Sequence, residues 1–240
     1  MAGHSKFANI KHRKGAQDAK RAKIFTRLIK EIVVAAKGGE DPDGNPRLRS
    51  AIIAAKAANV PKDRIANAVQ KGSSSNEGDA YENMRYEGYG VAGTAFIIET
   101  LTDNRNRTAA SVRSSFNKFG GNLGETGSVA FMFDHLGVIR FPANIASEDE
   151  IFEIAVEAGA DSVESDAESH IISCSVEDFA TVRDNLIAKY GDPEGLGLEW
   201  LAKDYLDVAA DKQESLQKMI DALEEDDDVQ NIYYNFILEN

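Results

Sequence analysis

The stretch between residues 135 and 202 narrows the possible folds of this chain more than any other part of the sequence. Short apolar runs, which are typical of strands, alternate there with longer segments of helical periodicity. The predicted elements are a strand at 138–141, a helix at 148–158, hairpin strands at 160–165 and 170–175, a helix at 176–190 and a strand at 197–201. This β-α-β-β-α-β order predicts a ferredoxin-like α+β domain at 135–202.

The segments on either side of this stretch carry elements that do not make a complete domain separately. The predicted elements are strands at 84–89, 94–101 and 128–133, a helix containing Val112, Phe116 and Phe119, a strand at 205–208, a helix at 212–224 and a strand at 229–236. We therefore predict that 80–133 and 204–240 together form a second, discontinuous α+β domain, into which 135–202 is inserted.

Residues 1–75 show helical periodicity in three segments that are separated by turn sequences. The predicted helices run from near Gln17 to Gly38-Gly39, from Pro46 to Ala58, and from Asp63 to Lys71, where Gly72 ends the last one. The predicted fold class is therefore α+β, with a small N-terminal three-helix domain and two ferredoxin-like α+β domains, one inserted in the other. Two of the N-terminal helices would also fit a helix-turn-helix, but no recognition helix stands out.

Charge is divided unevenly along the chain. Residues 1–75 carry 16 Lys/Arg and 6 Asp/Glu, a net charge of +10, whereas residues 76–240 carry a net charge of −23. The chain as a whole has a net charge of −13. A basic segment on an acidic chain favours a surface that binds something strongly negative, and the acidic remainder should repel nucleic acid.

The first 37 residues concentrate this basic charge, with ten Lys/Arg against two acids. In the helix predicted there, apolar residues recur at steps of three and four, and cations fall on the opposite face. The predicted nucleic-acid contacts are Lys6, Lys11, Arg13, Lys14, Lys20, Arg21, Lys23, Arg27 and Lys30. An ordinary solvated helix face is the alternative. Attraction to phosphate does not distinguish DNA from RNA.

A second group of cations lies in the segment Thr102-Asp103-Asn104-Arg105-Asn106-Arg107-Thr108. Asp103 or Asn104 is placed to cap the following helix. Arg105 and Arg107 would then lie in its first turn, where the helix dipole disfavours positive charge. These two arginines need a negatively charged partner, which is either an internal carboxylate or phosphate. We include Arg105 and Arg107 among the candidate nucleic-acid contacts.

No residue pattern makes a positive case for catalysis or for a bound cofactor. The single cysteine, Cys174, lies in an alternating apolar run, so a buried strand thiol is expected, and no internal disulfide is possible. The four histidines are scattered without metal-ligand spacing, so no metal site is expected. The glycine-rich segment 120–127 lacks a phosphate-loop lysine and is expected to be a tight connection. An enzyme acting on nucleic acid is the weakest alternative.

Several motifs resemble one known family. They are Gly3-His4-Ser5-Lys6, Ile10-Lys11, Arg13-Lys14, Asp18-Ala19-Lys20-Arg21, Phe25, Glu31-Ile32, Asn45-Pro46-Arg47-Leu48-Arg49, Asn59-Val60-Pro61-Lys62, Tyr86-Glu87-Gly88-Tyr89-Gly90 and 102–108. In this order they resemble the YebC family, which comprises bacterial proteins usually labelled transcriptional regulators and the mitochondrial translational activator of cytochrome c oxidase. The resemblance runs nearly end to end.

The resemblance implies a three-domain fold and a cytoplasmic protein without a cofactor or known catalysis. It implies a DNA-binding regulator of transcription or, alternatively, a ribosome-associated translation factor that assists the synthesis of proline-rich sequences. The expected partners are therefore DNA, or ribosomal RNA in the alternative. The acidic part would contact ribosomal or transcription proteins. No membrane partner is expected, because no apolar run has the length of a membrane span.

Overall fold

The computed structural model describes residues 21–74 and 81–238 of the chain. These residues fall into two compact units. Unit one contains residues 21–27, 81–134 and 200–238, and unit two contains residues 28–74 and 135–199. Within the described ranges the structure has seven α-helices and eight β-strands. The α+β fold class is confirmed, whereas the limits of the three predicted domains stay a prediction.

Three helices form the N-terminal part: α1 (Arg21–Ala35), α2 (Pro46–Ala57) and α3 (Lys62–Ser74). A short 3₁₀ turn at Ala36–Gly38 ends α1. Asn45 then begins α2, since its side-chain oxygen accepts a hydrogen bond from the Leu48 amide at 3.1 Å. The same side chain donates to the carbonyl oxygens of Ala35 and Gly39, so one buried residue joins the end of α1 to the start of α2.

Gly72 does not end the third helix, as the sequence predicted, because α3 continues to Ser74. A Cβ atom at Gly72 would lie 2.2 Å from the carbonyl oxygen of Val33 in α1. Glycine is therefore required because the backbones of α1 and α3 approach closely, and its role as a helix terminator does not apply here.

Unit one contains the first strands, β1 (Glu82–Tyr89), β2 (Ala95–Thr102) and β3 (Asn122–Leu123), with helix α4 (Arg105–Lys118) between β2 and β3. β1 and β2 form an antiparallel hairpin, and β3 adds to the other side of β1 through Gly88 and Tyr89. The strand predicted at 128–133 is wrong, because this segment contains a 3₁₀ turn at Ala130–Met132. The short β3 takes its place in the sheet.

The next six elements follow the predicted β-α-β-β-α-β order. They are β4 (Phe133–Pro142), α5 (Glu148–Ala158), β5 (Ser162–Ser165), β6 (Ser169–Cys174), α6 (Phe179–Tyr190) and β7 (Gly195–Ala202). Their strands form one sheet in the order β5-β6-β4-β7, in which β6 pairs antiparallel with both β5 and β4. Ser147 caps α5 through the Glu150 amide, and Gly159 ends it in a left-handed conformation.

The chain returns to unit one through α7 (Ala210–Glu224) and β8 (Val229–Tyr234). β8 pairs antiparallel with β2, which completes a sheet in the order β3-β1-β2-β8. Residues from both sides of 135–202 therefore build this sheet. The strand predicted at 205–208 is reduced to a single bridge between Leu206 and Phe236.

Each unit buries its own apolar core. In unit one, Phe96 and Ile98 of β2 pack with Phe116 of α4 and with Leu216 and Met219 of α7. Intervening β2 residues such as Ile97 are also fully buried, because Val129, Phe133 and Ala202 cover the opposite side of the strand. β2 therefore alternates between two buried faces.

In unit two, Phe141, Ile151, Ile172 and Leu186 are completely buried between the sheet and helices α5 and α6. Ile53 of α2 joins the same cluster, so α2 shares an apolar core with 135–199. No helix of the described part of the chain is long and apolar enough to cross a membrane.

Candidate nucleic-acid interface

The predicted basic surface is only partly within the described residues. Lys6, Lys11, Arg13, Lys14 and Lys20 lie outside them. Arg21 is the first residue of α1. The predicted contacts with described side chains are therefore Lys23, Arg27 and Lys30 on α1, together with Arg105 and Arg107 on α4.

Lys23 and Arg27 both contact the carboxyl end of α7. The ammonium group of Lys23 donates to the Glu225 carbonyl oxygen at 3.2 Å and pairs with the carboxylate of the same residue. Arg27 Nη2 donates to the carbonyl oxygen of Glu224 at 2.8 Å. The last carbonyl groups of a helix have no intrahelical partner and lie at the negative end of its dipole. These two cations therefore stabilise the end of α7.

The acid in α1 is neutralised inside unit two. Arg47 of α2 meets both carboxylate oxygens of Glu31, with Nε at 2.7 Å and Nη2 at 3.0 Å. This hydrogen-bonded pairing raises the pKa of the Arg47 guanidinium. The Glu31–Arg47 pair therefore has no net charge, and half-buried Lys30 lies one position before Glu31.

Two exposed cations in the first turn of α3 were not among the predicted contacts. Lys62 and Arg64 are both exposed. Val60 is buried and Asn59 has a left-handed backbone with φ of 61°, which turns the chain so that α3 begins at Lys62. Hydrophobic periodicity gave no signal for these two residues. The segment Asn59-Val60-Pro61-Lys62 could have indicated that a helix with cations in its first turn begins here, but it contributed only to the family resemblance.

Arg107 is held by internal carboxylates. Asn104 caps α4 by accepting a hydrogen bond from the Arg107 amide at 3.0 Å. The Arg107 guanidinium then reaches Asp228 at 2.6 Å and Asp103 at 2.8 Å. The hydrogen bond to Asp228 is the main reason that the pKa of Arg107 is raised. Two carboxylates therefore offset the unfavourable position of this cation in the first turn of a helix.

Asp228 is the buried centre of this cluster. Besides Arg107, its Oδ2 atom accepts hydrogen bonds from the hydroxyl groups of Thr102 at 3.1 Å and Thr108 at 2.8 Å. Its side chain is 7% exposed, whereas that of Arg107 is 54% exposed. A buried carboxylate requires such donors. The segment 102–108 consequently has a structural role, and a contact between Arg107 and phosphate stays a prediction.

Arg105 is more accessible than Arg107. Its Nε atom lies 3.5 Å from the Glu82 carboxylate, and both side chains are more than half exposed. Arg105 lines a shallow cavity of about 580 Å³ at the side of β1, together with Glu82, Tyr86 and Asp103. Two carboxylates next to one guanidinium make this cavity poorly suited to phosphate. A contact between Arg105 and phosphate stays a prediction, and it would have to use the exposed outer side of the guanidinium.

The glycine-rich segment 120–127 serves an internal carboxylate. Glu87 of β1 is fully buried and accepts hydrogen bonds from the backbone amides of Val129 and Ala130, each at 2.9 Å. Burial acts to raise the pKa of Glu87, but the amides of Val129, Gly127 and Ala130, together with the charge of Arg85, outweigh it and lower the pKa. The amide groups that follow the glycines are thus occupied by Glu87. This agrees with the structural role expected for the segment.

Cys174 and His170 have structural surroundings. Cys174 is fully buried, as predicted, and burial raises the pKa of its thiol to about 12. The ring of buried His170 contacts the Ser165 hydroxyl and the carbonyl oxygens of Ala143 and Ala146. Among residues 21–74 and 81–238, no group of three or more His, Cys, Asp and Glu residues is arranged to hold a metal ion.

The fold and the distribution of charge define a multidomain α+β protein with a basic helical N-terminal part and an acidic remainder. Family models match both parts: the TACO1/YebC protein N-terminal domain matches residues 5–75, and the TACO1/YebC second and third domain matches residues 81–236. The chain belongs to the TACO1/YebC family, as its motifs suggested.

Related proteins agree with this membership. A "Probable transcriptional regulatory protein" of Rickettsia akari (strain Hartford) is 52% identical over 239 residues, which are 98% of this chain and 94% of the relative. Another, of Rickettsia bellii (strain OSU 85-389), is 52% identical over 240 residues, covering 99% and 94% of the two chains. A crystal structure of a conserved hypothetical protein from Aquifex aeolicus matches with a TM-score of 0.81 and 41% identity, over 93% of each chain.

Proposed function

We propose that this protein is a regulator that binds nucleic acid through its basic N-terminal part, as a DNA-binding regulator of transcription. The names of the Rickettsia relatives, probable transcriptional regulatory proteins, support a regulatory role. We further propose that the protein is cytoplasmic, acts without a cofactor and is not an enzyme. It contacts protein partners through its acidic part.

The charge of the first 37 residues carries this proposal. Ten Lys/Arg stand there against two acids, in a chain whose residues 76–240 have a net charge of −23. One of the two acids, Glu31, is already paired with Arg47. Lys62 and Arg64, in the first turn of α3, are exposed and are further candidates for contacts with phosphate. The acidic remainder disfavours any orientation in which it would face that backbone.

The competing hypothesis is a ribosome-associated translation factor that assists proline-rich synthesis. It would use the same cations, because phosphate contacts are independent of the type of nucleic acid. The binding experiment must therefore compare duplex DNA with structured RNA, and a cellular experiment must locate the protein.

The binding experiment uses the purified full-length protein with a labelled 30-base-pair DNA duplex and an RNA hairpin of similar length, titrated at several salt concentrations. For duplex DNA, log affinity should fall by about 0.9 per log unit of salt for each phosphate neutralised. Replacing Lys11, Arg13, Lys14, Lys20 and Arg21 by alanine should weaken binding at least about a hundredfold at low salt and reduce this slope.

The matched control removes an equal number of positive charges from other exposed positions. These are Lys118, Lys189, Lys203, Lys212 and Lys218. Equal loss of affinity in the two five-residue variants would contradict a localised basic surface, and binding that does not respond to salt would contradict phosphate recognition.

The cellular experiment separates the two forms of the proposal. Occupancy at promoters, lost in the N-terminal five-residue variant, supports regulation of transcription. Co-sedimentation with ribosomes, lost in the same variant, would overturn that form in favour of the translation factor. A nucleic-acid cleavage activity that disappears with a single carboxylate substitution would overturn the assignment as a non-enzyme.

A further inference from the structure

Residues 145–182 form a long stretch without positive charge. They contain eleven Asp/Glu and no Lys/Arg. Helix α5 lies inside this stretch and contributes five of the acids. Because the stretch contains no arginine or lysine, it contributes a large excess of negative charge to unit two.

The outward side of α5 also carries apolar side chains. Ile151 and Ala155 are completely buried in the core of unit two. Phe152 and Val156, which are four residues apart and therefore on one helix face, are 54% and 51% exposed. Exposed Asp149 and Glu153 share this side at the same spacing. We call the four residues Asp149, Phe152, Glu153 and Val156 the acidic α5 face.

The fold of unit two gives these side chains no internal role. Ser147 caps α5, and the buried residues of the helix already fill the core on its inward side. Ile145, in the turn before the cap, is a further exposed apolar residue at 37%. Single exposed apolar side chains are common on protein surfaces, but neighbouring ones on a single helix face mark interaction surfaces more often.

We infer that the acidic α5 face is a docking surface for a Lys/Arg-rich amphipathic segment of a partner protein. Phe152 and Val156 would pack against the apolar side of such a segment, while Asp149 and Glu153 would pair with its flanking cations. Charge complementarity selects this class of partner, because phosphates of nucleic acid and of anionic lipid surfaces would be repelled. The inference deepens, and rests on, the protein-binding half of the proposed function.

The test uses the full-length protein and a synthetic probe. The probe is an 18-residue amphipathic peptide of leucine and lysine, compared with a peptide of the same composition whose sequence is scrambled to remove the apolar face. Affinity is measured by fluorescence anisotropy at low and moderate salt. We expect the amphipathic peptide to bind at least about tenfold more tightly than the scrambled one.

Two pairs of variants locate the binding. Phe152→Ser with Val156→Ser should weaken binding at least about tenfold, whereas the matched control Phe131→Ser with Leu206→Ser removes exposed apolar residues of unit one and should not. Asp149→Asn with Glu153→Gln should reduce affinity and its salt dependence, in contrast to Glu125→Gln with Asp204→Asn. All eight positions are exposed, and thermal unfolding of each variant verifies that the fold is retained.

The outcomes distinguish this inference from the nucleic-acid proposal. Equal affinity of the two peptides, or equal effects of the α5 and control variants, would overturn the docking surface while leaving DNA binding intact. Concentration-dependent dimerisation through Phe152 and Val156 would also overturn it, in favour of self-association. If the α5 variants alone lose the peptide and still bind DNA, the inference is supported.

Discussion

Each unit contains an arginine–aspartate cluster, but the buried partner differs. In unit one the carboxylate of Asp228 is buried, and the guanidinium of Arg107 is half exposed. In unit two the guanidinium of Arg183 is 1% exposed, and the carboxylate of Asp184 is 43% exposed. We therefore expect the loss of stability to be largest when the partner of the buried ion is replaced, because that substitution leaves an uncompensated charge in the interior.

The cluster in unit two joins α2 to α6. Arg183 Nε donates to Asp184 at 2.8 Å, and its Nη1 atom donates to the Ser50 hydroxyl and the Pro46 carbonyl oxygen. Arg49 donates to the other oxygen of Asp184 at 2.8 Å. The hydrogen bond from Arg183 is the main reason that the pKa of Asp184 is lowered.

The largest effect should come from Asp184→Ala. Arg183 would stay buried with only two neutral acceptors, so we expect the free energy of unfolding to fall by about 3 kcal/mol. Amide hydrogen exchange of α2 and α6 measures this change within unit two. Asp192→Ala, which removes a solvent-exposed partner 3.6 Å from Lys56, is the control and should cost less than about 0.5 kcal/mol. Similar protection of the amides from exchange in Asp184→Ala and Asp192→Ala would show that burial of Arg183 does not determine the loss of stability.

Arg107→Ala tests the opposite arrangement in unit one. Asp228 would stay buried but would keep two hydroxyl donors, so a smaller loss of about 2 kcal/mol is expected. Urea unfolding followed by the fluorescence of Trp200, the single tryptophan, reports on this unit. Arg105→Ala, at the exposed neighbouring position, should change stability by less than about 0.5 kcal/mol. A loss from Arg105→Ala as large as that from Arg107→Ala would contradict the assigned role of Asp228.

Glu87→Gln tests a buried carboxylate that is held by backbone amides as well as by an arginine, since Arg85 Nε lies 3.1 Å from Glu87 Oε1. Neutralising Glu87 weakens its hydrogen bonds to Val129 and Ala130, with an expected loss of about 1.5 kcal/mol at neutral pH. The folded-state pKa of Glu87 is below the ordinary value of 4.5. Its contribution is therefore fully present above this value and is lost as pH falls through the lower folded-state pKa.

Titration of stability with pH checks this expectation. Trp200 fluorescence between pH 7 and pH 3 should show a steeper loss of stability for the unmodified protein than for Glu87→Gln, so that the two curves converge in acid. Glu125→Gln, at an exposed position of the same glycine-rich segment, serves as the control and should follow the unmodified protein. Parallel curves for the unmodified protein and Glu87→Gln would exclude Glu87 as the source.

The smallest effect is expected from Lys23→Ala with Arg27→Ala. Both cations meet the exposed end of α7, so their loss should cost about 1 kcal/mol and less at high salt. Hydrogen exchange in the last turn of α7 measures the change. The control Lys118→Ala with Lys212→Ala removes two exposed cations elsewhere in unit one. If the loss of stability does not depend on salt concentration, the cause is the loss of side-chain packing and the electrostatic explanation is contradicted.

Local patterns predicted most of the fold. Hydrophobic periodicity predicted the β-α-β-β-α-β order of 135–202 and the buried strand that contains Cys174. Capping residues narrowed the N-cap of α4 to Asp103 or Asn104, and the structure shows Asn104. The strand predicted at 128–133 was wrong because Glu87, about forty residues away, binds its amides and holds a turn. Gly72 was misassigned because the approach of Val33 is a tertiary contact.

The sequence predicted that the candidate interface is positively charged, but it did not predict the contacts that its side chains make. The buried partner of Arg107 is Asp228, 121 positions away, and the partners of Lys23 and Arg27 lie about two hundred positions away. No periodicity connects such residues. Lys62 and Arg64 became candidates only when the described structure showed them exposed at the start of α3.

The attachment of Lys23 and Arg27 to α7 has a consequence for recognition. A phosphate that draws these two side chains toward itself competes with the carbonyl oxygens of Glu224 and Glu225 for their donors. Binding would then release the final turn of α7 to water, and its energetic cost would be subtracted from the affinity. Binding of phosphate at Lys23 and Arg27 would then be thermodynamically linked to fraying of the last turn of α7.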